Sequence, residues 1–235
     1  KIIKNYNKQD LIIANNVVAH VSLINDFING ISLLLNKKGL VIFEFSYLID
    51  VIDYGLYDTI YHEHVFYYSA TSFQNILKQY NLEIFDIEKN HLHGGSLRVF
   101  CNFIGEREVS SMTKDILIKE KFYHDEANDV LNKLLNYSKN HFKNLYDFLF
   151  LKKLENKKVA GYGAAAKATT VLNLGSISHE ILYAVGDSAK TKIGKYIPNI
   201  GIPIISINDL IKTEPDIIII FAWNYFDEIN NFLID

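Results

Sequence analysis

The chain is short of the residues that would commit it to a disulfide framework, a membrane or a nucleic acid. It has 235 residues and one cysteine, Cys101, which excludes an intramolecular disulfide and fits a reducing, cytoplasmic setting. Cations are in slight deficit, with 24 Lys and Arg against 27 Asp and Glu for a formal net charge of −3. Neutralising a phosphate backbone needs clustered Lys and Arg, so nucleic acid is not an expected partner. The opening stretch, residues 1–7, has no apolar signal region. The longest aliphatic run, residues 217–223, is far shorter than the roughly 20 residues that cross a bilayer, so no membrane association is expected either. The length suffices for a real core, in one α/β domain or two small ones.

Apolar runs alternate with amphipathic stretches. Residues 11–14 read as a buried strand, 24–35 as a helix, and 40–44 as a second strand entered through a turn at Lys37-Lys38-Gly39. Short connections in such a unit favour a parallel sheet. A helix over 71–80 follows, with Ser69 or Thr71 as its N-cap, and strands over 82–88 and 97–103 pair as an antiparallel hairpin. Residues 112–155 are helical in period and free of proline, predicting one or two long helices.

Chemistry concentrates in Asp58-Thr59-Ile60-Tyr61-His62-Glu63-His64 and in His91-Leu92-His93-Gly94-Gly95-Ser96. Four imidazoles, two carboxylates and a phenol in two short segments are the density of proton-handling groups expected at a reacting centre. In an extended segment Tyr61 and Glu63 would share one face and His62 and His64 the other; a loop relaxes that rule. A single histidine is more often structural than catalytic. The competing reading is a metal site of His62 and His64 completed by His91 and His93, since imidazole suits zinc and its neighbours. Against it, the chain has no His-Glu-x-x-His helix and no second cysteine.

The final third opens on Val159-Ala160-Gly161-Tyr162-Gly163-Ala164-Ala165-Ala166-Lys167. A strand, a Gly-x-Gly-x-x-Ala turn and a helix in succession offer main-chain amides to a phosphate. Asp187, closing a strand over 181–185, stands where a ribose-binding acid is expected. The plainer reading is that Gly161 and Gly163 only let helix and strand pack closely, and that Lys167 is a solvated helix lysine. A strand over 203–206, a short helix over 208–212 and a buried strand over 216–223 complete a small α/β unit, with too few strands for a full dinucleotide fold.

Six blocks in order resemble one family, the S-adenosylmethionine-dependent C-methyltransferases of nucleotide-linked deoxyketosugars. They are Ala14-Asn15-Asn16-Val17-Val18-Ala19-His20; Phe43-Glu44 with Tyr47-Leu48; Tyr57 through His64 with Tyr68-Ser69; His93-Gly94-Gly95-Ser96-Leu97-Arg98-Val99-Phe100; Gly161 through Lys167; and Trp223-Asn224. The resemblance implies that His64 is the base that removes a proton beside the sugar ketone. It casts Tyr61 and Glu63 as polarising and orienting groups, His20 as an assisting residue and Asn16 as a donor contact. In the second α/β unit it implies Gly161, Gly163 and Lys167, with Asp187, Lys195 and Asn224, as binders of the nucleotide diphosphate sugar. The resemblance further implies S-adenosylmethionine as the methyl donor, and no metal is expected in this segment.

The same resemblance predicts an α/β fold in three parts. Residues 1–108 form the later part of a Rossmann-like class I methyltransferase sheet with the catalytic loop, 109–156 a helical connector, and 157–235 a smaller Rossmann-like domain. Family members begin with a cysteine-rich zinc-binding domain and a glycine-rich donor-binding turn, so the chain reads as a truncated or split form. Residues 11–14 are then expected to leave an open strand edge, to be covered by a second copy or by a separate N-terminal polypeptide. Two rivals stay open: a nucleotide-binding module without catalysis, and a nicotinamide-dependent reductase built on the same glycine turn. Methylation at oxygen rather than carbon is also compatible with these residues.

Overall fold

The computed structural model describes residues 7–90 and 94–234. His91 and His93, half of the possible metal set, lie outside the described residues. The chain forms two compact units, Lys1–Leu56 with His62–Leu134, and Tyr57–Tyr61 with Leu135–Asp235.

In the first unit, strands β1 (Gln9–Asn15), β2 (Leu35–Ser46), β3 (Leu82–Asn90) and β4 (Ser96–Phe103) lie in the order β1-β2-β4-β3. β1 and β2 are parallel and joined through helix α1 (Ile24–Leu34), while β4 runs antiparallel to both β2 and β3. The last strand thus inserts beside β2 and leaves β3 at the edge. Alternation does the rest: Val41, Phe43 and Phe45 lie opposite Cys101, Val99 and Leu97, all buried on one face. That face meets Ile24, Ile28 and Ile31 of α1 and Phe73 and Leu77 of a second core helix.

Two expectations about this unit need correction. Residues 11–14 are an edge strand and not a buried one, with Leu11 52% and Ile13 58% exposed. An apolar run alone does not separate the two cases. Lys37-Lys38-Gly39 is not a turn, because β2 starts at Leu35 and carries these residues as an irregularity: Gln9 pairs with Leu35, but Leu11 pairs with Leu40. Gly39 permits the close approach, since a Cβ there would meet Leu35 Cδ1 at 2.8 Å and the Gln9 carbonyl at 2.9 Å. A short helix α2 (Leu48–Asp53) also follows β2 unannounced.

The second core helix, α3 (Ala70–Lys78), is capped by Ser69 and not Thr71. The Ser72 amide donates to Ser69 Oγ at 3.1 Å, and the Ser69 amide to Ser72 Oγ at 3.0 Å. A second device completes this end. Glu120, wholly buried on α4 (Ser111–Asp125), accepts the amides of Ala70 at 2.7 Å and Thr71 at 2.6 Å. Those are amides that a helix start leaves without partners.

The long helical stretch is α4 followed by α5 (Ala127–Leu154), and the division between units falls inside α5. Beyond it, β5 (Val159–Tyr162), β6 (Val185–Asp187), β7 (Ile204–Ser206) and β8 (Ile217–Ile220) form an all-parallel sheet in the order β7-β6-β5-β8. Helix α6 (Ala166–Leu174) follows β5, α7 (Ile207–Lys212) follows β7, and α8 (Phe226–Ile234) ends the unit. The strand expected at 181–185 begins only at Val185, because the Ile181 and Leu182 amides turn back onto the Ser178 carbonyl. The last strand is shorter than expected and half-buried, since β8 is an edge strand. The chain steps outward from β5 to β6 and β7, then returns to the far side of β5 for β8. That reversal puts a topological switch point at the carboxyl ends of β5 and β8, where open α/β sheets bind ligands. Among the described residues no helix is long and apolar enough to cross a membrane.

Candidate active site

At the carboxyl end of β1 the backbone turns sharply. Asn16 adopts φ 53°, its amide donating to the Glu44 carbonyl at 2.7 Å, and a single helical turn, Val18–His20, follows. This turn holds the histidine-bearing segment. The Ala19 carbonyl accepts the amides of Val65 at 2.8 Å and Phe66 at 3.3 Å, and His20 Nδ1 meets the Glu63 carbonyl at 2.8 Å. A carbonyl only accepts, so Nδ1 carries the proton and the lone pair of the neutral ring is left on Nε2. The His64 ring lies beside it, centroids 4.9 Å apart and planes at 58°, with Tyr67 edge-on to His64 at 5.8 Å.

His64 is half-buried, whereas His20, His62 and Glu63 are exposed. Residues 61–63 turn instead of running as a strand, so the strict alternation of faces does not apply there. The structure therefore brings His20, His64 and the Glu63 main chain together at the strand end that also carries Asn16. Tyr61 is half-buried and belongs to the other unit. No lysine or arginine occurs in residues 11–34 or 57–68. The Asn16 backbone, His20 and His64 bring amide and imidazole groups to this strand end. Among the described residues no group of three or more His, Cys, Asp or Glu is placed to hold a metal ion.

The second unit explains its glycines by internal geometry. A Cβ at Gly161 would meet Phe221 Cε2 at 2.6 Å and Val185 Cγ2 at 3.1 Å, and Gly163 has φ 90°. The Gly163 amide donates to the Gly186 carbonyl at 2.8 Å and the Ala164 amide to Asp187 Oδ2 at 2.8 Å. Asp187, 8% exposed, also accepts the Ala189 amide at 2.7 Å and Lys192 Nζ at 3.3 Å. Its carboxylate therefore pins the glycine turn. Lys192, which sequence reasoning passed over, is the lysine that meets it; Lys195 is exposed and pairs with Ile204 through its main chain.

Lys167 is not solvated. Its Nζ lies 4.3 Å from the centre of the Trp223 ring, buried, with no hydrogen-bond partner among the described residues. Burial pushes its pKa below the ordinary lysine value, and the charge of Asp58 opposes that shift. Trp223 Nε1 in turn donates to Asp58 Oδ2 at 2.6 Å, and Asp58 is 7% exposed. Beside it the Tyr57 hydroxyl pairs with His141 Nδ1 of α5. Burial first, and the Asp58 charge second, hold the Tyr57 phenol well above its usual pKa. Asn224 is half-buried next to Trp223. Asp58 and Trp223 both stood in the motif blocks, yet nothing local in the sequence pairs residues so far apart.

A mixed sheet ending in an antiparallel strand pair and a second, all-parallel unit define an α/β protein that carries a histidine couple at the end of β1. The chain belongs to the family described as C-methyltransferase C-terminal domain, which matches residues 91–233. It is also similar to C-methyltransferase NovU of Streptomyces niveus, at 28% identity over 220 residues that make up 93% of this chain and 52% of NovU. The chain thus spans about half the length of the curated relative it matches. Overlaps with solved structures are partial. Magnesium protoporphyrin IX methyltransferase (ChlM) from Synechocystis PCC 6803, with SAH bound, aligns at TM-score 0.32 and 14% identity over 40% of this chain and 44% of its own. An O-methyltransferase family protein from Burkholderia thailandensis aligns at TM-score 0.31 and 10% identity over 43% and 32%. The assignment rests on the sequence family, and the reductase reading gives way to it.

Proposed function

We propose that this chain supplies the base and the nucleotide-sugar-binding unit of an S-adenosylmethionine-dependent C-methyltransferase acting on a nucleotide-linked deoxyketosugar. The observation that carries the reading is the His20–His64 couple at the carboxyl end of β1. His64 removes a proton from the carbon beside the ketone and becomes imidazolium, leaving an enolate. His20, its Nδ1 proton held by the Glu63 carbonyl, presents Nε2 as an assisting acceptor. Tyr61 and Glu63 polarise the substrate and orient the base. S-adenosylmethionine, when bound, supplies the methyl group that the enolate carbon takes; Asn16 and the turn after β1 are the groups of this chain placed to contact it. In the second unit, the switch point beside β5 and β8 and the cation Lys167 support binding of a nucleotide diphosphate.

The test is solvent exchange. With the nucleotide-linked ketosugar in deuterium oxide, the active enzyme is expected to wash deuterium into the carbon beside the ketone even without methyl donor. An enzyme that methylates but never exchanges at that carbon, under conditions where the enolate can return, would count against His64 as base.

Among the described residues β1 is an edge of its sheet, with Leu11 and Ile13 exposed, and is where a further strand would pair. The donor site is completed by what joins that edge. Titration calorimetry of this chain alone is accordingly expected to show weak or undetectable binding of S-adenosylmethionine. Tight stoichiometric binding would refute that division of labour.

A further inference from the structure

The strip Tyr57–Tyr61 leaves the unit to which both its flanks belong and joins the second unit. What holds it there is specific. Its turn Tyr57–Thr59 packs on α6, with Asp58 on the Trp223 indole N–H and Tyr57 on His141. Lys167 follows β5 and Trp223 follows β8, so the strip is docked through the two strands that flank the switch point. Tyr61 closes the strip, and His62, Glu63 and His64 come directly after it in the chain.

The charges there are unequally satisfied. Asp58 has the indole N–H at 2.6 Å, while the neighbouring ammonium of Lys167 lies over the face of the same indole at 4.3 Å with no hydrogen-bond partner among the described residues. A buried cation without a hydrogen bond is costly, and an anionic oxygen would satisfy it better than a ring face.

We propose that Asp58, Trp223 and Lys167 form a latch that reports occupancy of the second unit to the catalytic loop. An entering diphosphate draws Lys167 off the Trp223 ring, and the altered Trp223–Asp58 pair resets the Tyr57–Tyr61 strip, which ends on Tyr61 and leads into His64. Asp58 and Trp223 are positioning residues here. The inference rests on the reading that this unit binds a nucleotide diphosphate, and the experiment separates the two.

Trp223 is the chain's one tryptophan, so its fluorescence is a direct readout. The chain is titrated with uridine, thymidine, cytidine and guanosine diphosphates and with inorganic pyrophosphate, following heat, Trp223 emission and hydrogen exchange at residues 59–61. The expected result is a change in emission and exchange that saturates with the calorimetric midpoint. Lys167→Met is expected to weaken binding by about ten- to a hundredfold, the worth of one charge-assisted hydrogen bond, and to abolish the emission change. Asp58→Ala is expected to keep binding but lose the exchange response, and Asp58→Asn, which retains an acceptor for the indole, to restore it in part. Heat of binding with unmoved emission and exchange would overturn the latch and leave the nucleotide site standing. No heat with any of the five probes would overturn the nucleotide site and the latch with it.

Discussion

His64→Ala, made in a form of the enzyme that methylates, is expected to lower turnover by about 10² to 10⁴ while the nucleotide-linked sugar still binds, because general-base assistance is worth that much to a carbon acid. The separation of turnover from binding is the point. His64 belongs to the first unit, whereas the glycine turn, Lys167 and Trp223 belong to the second, so removing the imidazole leaves the nucleotide groups intact. His20→Ala is expected to cost less, since its ring acts beside His64 and its firmest bond is to the Glu63 carbonyl. Single-turnover kinetics with equilibrium dialysis of the substrate would measure both. Unchanged turnover in His64→Ala would remove the base assignment and favour a nucleotide-binding module without catalysis.

Glu120→Ala is expected to destabilise the first unit by about 2 to 4 kcal/mol, the range for losing a buried charged acceptor and stranding its donors. The carboxylate closes the amino end of α3 by taking the amides of Ala70, which is buried, and Thr71, which is half-buried. Alanine restores neither bond and leaves a void. Glu120→Gln keeps one acceptor oxygen and should fall between wild type and Glu120→Ala. Urea unfolding followed by far-ultraviolet circular dichroism would give the order, and equal midpoints for all three would show that the cap contributes nothing.

The parts of this fold legible in sequence are those set by local chemistry. The opening strand, helix and strand, the hairpin around Gly94-Gly95, the cap at Ser69 and the parallel strands of the second unit all follow from periodicity and turn residues. What was not legible depends on distant partners. Whether residues 11–14 are buried is decided by what pairs with their outer edge, and Gly39 is explained only by Leu35 and Gln9 arriving beside it. The candidate site divides in the same way. Tyr61, Glu63 and His64 form one short block, and His20 and Asn16 flank a strand end that periodicity marks. The pairing of Asp58 with Trp223, of Tyr57 with His141 and of Lys192 with Asp187 needed coordinates, because each joins segments with no common pattern. Lys167 illustrates the limit: its place at a helix start left a phosphate binder and a solvated helix lysine equally open, and only coordinates show Trp223 lying against its ammonium.

Cys101 stands at the centre of the first sheet, opposite Val41, wholly enclosed and with burial raising its thiol pKa well above the ordinary value. Thiolate is the reactive form, so alkylating agents in solution meet an inert sulfur for as long as β2 and β4 stay zipped. The chain therefore carries its own clock: each labelling event at that one sulfur records a moment when the sheet came apart.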